Sequence, residues 1–84
     1  MTRFSDLVDL LHKTKNRELL EDFLLGLTTP HERKVLTRRV EIVKRLIAGE
    51  PQHVIAEDFN VGVSTVGRGT KELNLGRFKV LRKR

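Results

Sequence analysis

The sequence predicts an all-α fold of five to six helices, and three observations predict it. Apolar residues recur at intervals of three and four from Phe4 to Val66, the spacing of a single helix face. No stretch of useful length alternates apolar and polar residues with period two, as a half-buried strand would. The chain is also punctuated. Thr29-Pro30, Gly49-Glu50-Pro51 and Asn60-Val61-Gly62 read as places where one helix stops and another starts.

The elements follow in order. Phe4, Leu7, Val8, Leu10 and Leu11 predict a first helix from about Ser5 to Lys13, and polar Lys13 to Arg17 is its connection onward. Leu19, Leu20, Phe23, Leu24 and Leu27 mark a second helix of the same kind. Thr29 can cap the third, Pro30 suits its first position, and Glu32 completes a T-x-x-E capping box. That helix is expected to turn Val35, Leu36, Val40, Val43, Leu46 and Ile47 inward and to end at Gly49. Pro51 is expected to open a fourth helix reaching Phe59, because proline is tolerated only in a first turn. A fifth begins near Gly62 or Val63, and Phe78 with Leu81 marks a last helix of one or two turns.

Eighty-four residues make one domain at most, and so short a chain buries a modest share of its surface. Dimerisation would enlarge the core. The expected organisation is residues 1–49 as dimerisation helices, 51–73 as a helix-turn-helix, and 74–84 as a basic C-terminal segment. The sequence has no cysteine, which leaves neither a disulfide framework nor a thiolate metal site. No apolar run approaches the roughly 18 residues of a membrane span, and no signal peptide is read, so a cytoplasmic protein without membrane partners is expected.

The break at Asn60 carries the functional argument. Two short helices joined steeply by three or four residues form a helix-turn-helix. Ala56 is small where the two helices cross. Asn60 enters the left-handed conformation cheaply, as such a turn requires. Ile55, Phe59, Val61 and Val66 are spaced to fill the wedge between the helices. Ser64 and Thr65 would face outward near the start of the second helix, the end that enters a major groove. The alternative is an ordinary α-hairpin turn inside a bundle.

Charge favours the first reading. Residues 1–61 hold ten Lys and Arg against ten Asp and Glu, whereas residues 62–84 hold seven against Glu72 alone. The whole net charge of +6 therefore lies in or after the second motif helix. Such asymmetry points to a polyanion, most simply double-stranded DNA, although a solvated basic tail ending Arg82-Lys83-Arg84 would look the same.

These residues resemble the tryptophan repressor family of bacterial regulators from about Leu7 to Leu73. LVDLL is similar to the family's first segment, TPHER to the start of its third helix, and IAEDFNVGVSTVGRG to its helix-turn-helix. TPxER, the Arg seven positions beyond Glu32 and the Arg-Gly pair in the second motif helix are specific in combination. The resemblance implies a six-helix, intertwined homodimer that binds operator DNA when L-tryptophan is bound. It implies that Arg68 pairs with the ligand carboxylate through its planar fork. Arg39 would lie against the indole face. Backbone carbonyls at Gly26 and Thr28, beside Thr29, would receive the ammonium group, Gly69 would leave room for the ring, and Val43 would line the pocket. Alternatively, Arg39 is a solvated arginine beside Arg38, and Arg68 a phosphate contact. On this pattern Gln52, His53, Val63, Ser64, Thr65, Gly67 and Arg68 form the DNA face, with Lys71 and the tail on phosphate.

The chain departs from the family at several positions. Gly67 stands where a polar residue is usual before the arginine, and His53 where a basic or polar contact is common. Glu72 replaces a small polar residue near the ligand's amino group, where it could pair with the ammonium or repel the operator. The connection at Gly49-Glu50-Pro51 is shorter than in the best-known members. Among other classes, an enzyme is not expected. His12, His31 and His53 fall on separate helices, with no compact carboxylate pair and no metal-ligand spacing. A ligand-independent helix-turn-helix protein of the same fold is the main alternative. A helical bundle whose basic tail binds an acidic partner is the next.

Overall fold

The computed structural model describes residues 1–82, so Lys83 and Arg84 of the expected basic tail lie outside the described residues. Among the described residues there are six α-helices and no strand: α1 (Phe4–Lys13), α2 (Arg17–Leu27), α3 (Pro30–Ile47), α4 (Gln52–Phe59), α5 (Val63–Asn74) and α6 (Lys79–Arg82). The all-α expectation holds, with every expected element present. The chain divides into two compact units, Met1–Arg33 and Lys34–Arg84.

In the first unit the helix starts are fixed by local hydrogen bonds. The Arg3 amide donates to Asp6 Oδ2 at 2.8 Å, and Asn16 Oδ1 accepts from the Leu19 amide at 3.0 Å. The T-x-x-E capping box is formed as its spacing predicts. The Thr29 amide donates to Glu32 Oε1 at 2.8 Å, and the Glu32 amide donates to Thr29 Oγ1 at 3.1 Å. These bonds satisfy donors that the first turn of α3 otherwise leaves unpaired. They also hold the Glu32 carboxyl below its usual 4.5, the backbone bond from Thr29 being the larger cause. No residue of α1 or α2 is buried. Phe4 (80 %), Leu19 (63 %) and Leu27 (53 %) stand well exposed on helices whose apolar faces are otherwise regular.

The core of the second unit is built from Ile42 on α3, Ile55 and Ala56 on α4 and Val66 on α5, with Leu46, Phe59 and Val61 packed against it. Ile55 and Val66 are completely enclosed. Asn60 takes φ 54° and ψ 48°, and the Val61 amide reaches back to the Ala56 carbonyl at 3.0 Å, closing the end of α4. The interruption expected at Asn60 is therefore real, and Ala56 sits buried as its small size suggested.

Two expectations are corrected. Pro51 is the residue before α4, with an extended backbone, rather than its first helical residue. On α3 the buried residues are Ile42 and Val43, while Leu36, Val40 and Ile47 are exposed rather than inward. The physical reason is that α3 carries two apolar stripes. Ile42, Val43 and Leu46 face α4 and α5, and Leu36, Val40 and Ile47 form a second stripe that this unit does not cover.

The α3–α4 corner is clasped by Arg45. Its guanidinium pairs with Glu50 through Nε at 2.7 Å and with Asp58 through Nη2 at 2.6 Å, and lies 5.5 Å from the centroid of the Phe59 ring. Glu50 first, then Asp58, holds this arginine more firmly protonated than usual. Gly49, at φ 90°, turns the chain so that the Glu50 amide meets the Arg45 carbonyl at 3.1 Å.

Candidate functional site

The second unit contains an open cleft of about 480 Å³ between α3 and α5, within the range of small-molecule sites. Helical periodicity builds both walls. Arg39, Ile42 and Val43 fall on one face of α3, and Ser64, Thr65, Arg68, Gly69 and Glu72 on one face of α5, with Phe78 closing the end. At Gly69 the backbone of α5 lies close against side chains of α3. A Cβ added there would stand 3.1 Å from Leu46 Cδ1 and 3.7 Å from Val43 Cγ2. Its first role is thus to admit α3, and the space it leaves for a ligand follows from that.

The cleft joins an apolar floor to a dipolar rim. Ile42 and Val43 are buried, and Arg39 and Arg68 are exposed with no ion-pair partner among the described residues. Glu72 Oε1 forms an ion pair with Arg77 Nε at 3.4 Å, which leaves its second oxygen available. Two forked cations and one carboxylate above an apolar floor suit a small zwitterion carrying an apolar group.

Of the expected ligand residues, Arg39, Val43, Arg68, Gly69 and Glu72 converge on this cleft. Gly26, Thr28 and Thr29 belong to the first unit. There Gly26 is exposed, Thr29 is occupied in capping, and the Thr28 carbonyl accepts Arg33 Nη1 at 2.7 Å. Sequence reasoning missed Ile42 and Phe78 as lining residues. Ile42 was legible three positions from Arg39 on the same helix face; Phe78 depends on a backbone reversal that no spacing rule marks.

The expected DNA residues form a mostly open surface. His53, Val63, Ser64, Thr65, Arg68 and Lys71 are exposed, and no side chain caps the first turn of α5. Gln52 and Gly67 are half-buried. The Gln52 amide donates to Thr70 Oγ1 at 3.0 Å, so this side chain ties α4 to α5. Ser64 and Thr65 belong to both surfaces, since they are exposed and also border the cleft. In the basic segment Arg77 pairs with Glu72, Arg82 Nη2 donates to the Leu73 carbonyl at 2.7 Å, and Lys79 is exposed.

No helix among the described residues is long and apolar enough to cross a membrane, and no group of three or more His, Asp or Glu among them converges as a metal site. Similarity to known proteins complements this geometry. A family profile described as "Trp repressor protein" matches residues 2–80. The chain is 37% identical over 75 residues to a protein named "Trp operon repressor homolog" from Vibrio vulnificus, covering 88% of this chain and 74% of that one. Its identity to a protein of the same name from Vibrio cholerae is 37% over 73 residues, covering 86% of this chain and 71% of the other. The Photobacterium profundum protein of that name is 38% identical over 73 residues, again with 86% and 71% covered.

Proposed function

This chain belongs to the Trp repressor family, whose members are regulators and not enzymes, and on that premise we propose that it is a cytoplasmic, DNA-binding transcriptional repressor promoted by L-tryptophan. One observation carries the proposal: α5 is at once the wall of a zwitterion-suited cleft and the exposed helix that would meet a duplex.

In this reading α4 and α5 form a helix-turn-helix. Its second helix would enter the major groove by its N-terminal end, the docking geometry general to such proteins, the tryptophan repressor among them. Ser64, Thr65 and Val63 reach base edges, while His53, Lys71 and the basic segment contact phosphate. A ligand carboxylate sits in the Arg68 fork and its indole lies under Arg39. The ammonium finds Glu72 within the cleft. The family-implied acceptors at Gly26 and Thr28 lie in the first unit, where the Thr28 carbonyl accepts a hydrogen bond from Arg33.

The protein works as a homodimer, the exposed apolar residues of α1, α2 and the second stripe of α3 being the covered surface. Two copies of α5 must then fit successive major grooves about 34 Å apart, so a small error in tilt spoils both contacts. Ligand between α3 and α5 fixes that tilt. Its effect is limited to its differential affinity for the competent form, typically about 1–3 kcal/mol.

Calorimetry tests the reading. L-Tryptophan should give a saturable heat that Arg68→Ala abolishes. The chain has no Trp or Tyr, so fluorescence of bound indole can be followed against a dark background. No heat at millimolar ligand removes the corepressor role while leaving a ligand-independent DNA-binding protein. Operator affinity that ignores salt removes the DNA role itself.

A further inference from the structure

The segment after α5 is folded back by several independent contacts. Gly76 turns at φ 91°, the Arg77 amide donates to the Glu72 carbonyl at 3.0 Å, and the Arg77 guanidinium meets the Glu72 carboxylate. Further on, Arg82 Nη2 reaches the Leu73 carbonyl at 2.7 Å. Between these anchors Phe78 sits at φ 62°, a conformation that a bulky L residue adopts only when its surroundings enforce it. The reversal has a visible result. Leu75 (62 % exposed) and Val80 (79 %) stand in solvent, whereas Phe78 is half-buried and lines the cleft beside Arg39, Arg68 and Glu72. With the ring in place the cleft still measures about 480 Å³, so Phe78 bounds the space without filling it.

We propose that Phe78 is the specificity-determining wall of this cleft, an aromatic face that selects a flat aromatic side chain on the ligand. The inference rests on the amino-acid reading of the cleft and deepens it. The charged groups Arg68 and Glu72 recognise what all α-amino acids share and cannot choose among them. The choice falls to the remaining surfaces: the Arg39 guanidinium, the branched floor of Ile42 and Val43, and the ring of Phe78. A ring facing a ring gains offset or edge-to-face contact that an aliphatic side chain cannot supply. Glu72 has a double part, since one oxygen holds Arg77, and so the segment, while the other remains for the ligand ammonium.

The test titrates L-tryptophan and L-leucine into the parent protein, Phe78→Gly and Phe78→Tyr. Glycine accepts φ 62° without strain, so the first variant loses the ring while its turn stays allowed. Phe78→Gly should bind tryptophan roughly three- to tenfold more weakly, the range that an aromatic contact carries. Leucine binding should be unchanged, and Phe78→Tyr should restore tryptophan. Equal tryptophan affinity, tighter binding, or a parallel loss for both ligands overturns the proposal. A second titration uses indole, which carries neither carboxylate nor ammonium, and follows the Phe78 ring resonances by NMR. If the parent binds no tryptophan, the corepressor reading fails, and indole decides Phe78 alone. Ring shifts at millimolar indole support the wall, and their absence sinks it.

Discussion

Asn60 adopts φ 54° and ψ 48°, a state that costs an ordinary L residue about 1–2 kcal/mol. Asn60→Val should therefore lower the unfolding free energy by about that amount, whereas Asn60→Gly should stay within about 0.5 kcal/mol of the parent in a denaturant titration. Ile55, with no exposed surface, is a harsher case. Ile55→Ala should cost about 2–5 kcal/mol, enough to unfold much of so small a unit. Glu32 gives a pH signature. Its folded-state carboxyl titrates below 4.5, so its contribution is complete above that value and fades as pH falls through the lower, folded pKa. Thr29→Ala removes the side-chain bond and keeps the Thr29 amide, so the Glu32 titration, followed by NMR, should move only part of the way toward its ordinary range; an unmoved curve would mean that the hydroxyl contributes nothing. At this scale the sequence was legible wherever chemistry is local. Thr29 and Glu32 lie three apart and meet, and Asn60 needs only its own backbone. Phe78 was opaque because its place depends on a reversal set by Gly76, Arg77 and Glu72 together.

Single helices were legible for a similar reason. Their apolar intervals, the Pro30 start and the Gly49 and Asn60 stops are all written within a few positions. What periodicity could not say is which stripe of α3 meets which neighbour, because Val43 and Val40 are equally apolar. The partners of Arg45 were hidden too, since Asp58 lies thirteen residues away and becomes adjacent only after the chain turns at Gly49. That clasp predicts a regional effect. Arg45→Ala should speed amide exchange from Glu50 to Phe59 and leave α1 and α2 as they were. Uniform acceleration along the chain would instead indicate global destabilisation.

At the scale of the whole molecule, α1, α2 and α3 each carry exposed apolar residues. Phe4, Leu19, Leu25, Leu27, Leu36 and Val40 are all at least two-fifths exposed, the kind of apolar surface that a partner copy would cover. Sedimentation should find a dimer at micromolar concentration, and Leu36→Glu with Val40→Glu should yield monomers that no longer bind operator. The charge asymmetry acts at the same scale. Raising salt from 50 to 200 mM should weaken operator binding by orders of magnitude if six or more phosphates are neutralised, with discrimination between sequences retained. These readings could be expected from charge counts and apolar periodicity. The cleft needed three dimensions, because Arg39 and Glu72 lie on different helices and only the approach at Gly69 puts them on one rim.

Ser64 and Thr65 stand on the open first turn of α5 and border the cleft as well. On the proposed function, target choice and effector choice would draw on the same two residues. A lineage drifting toward a new promoter through these two positions would retune its metabolite sensing in the same step, so divergent copies should change both allegiances together.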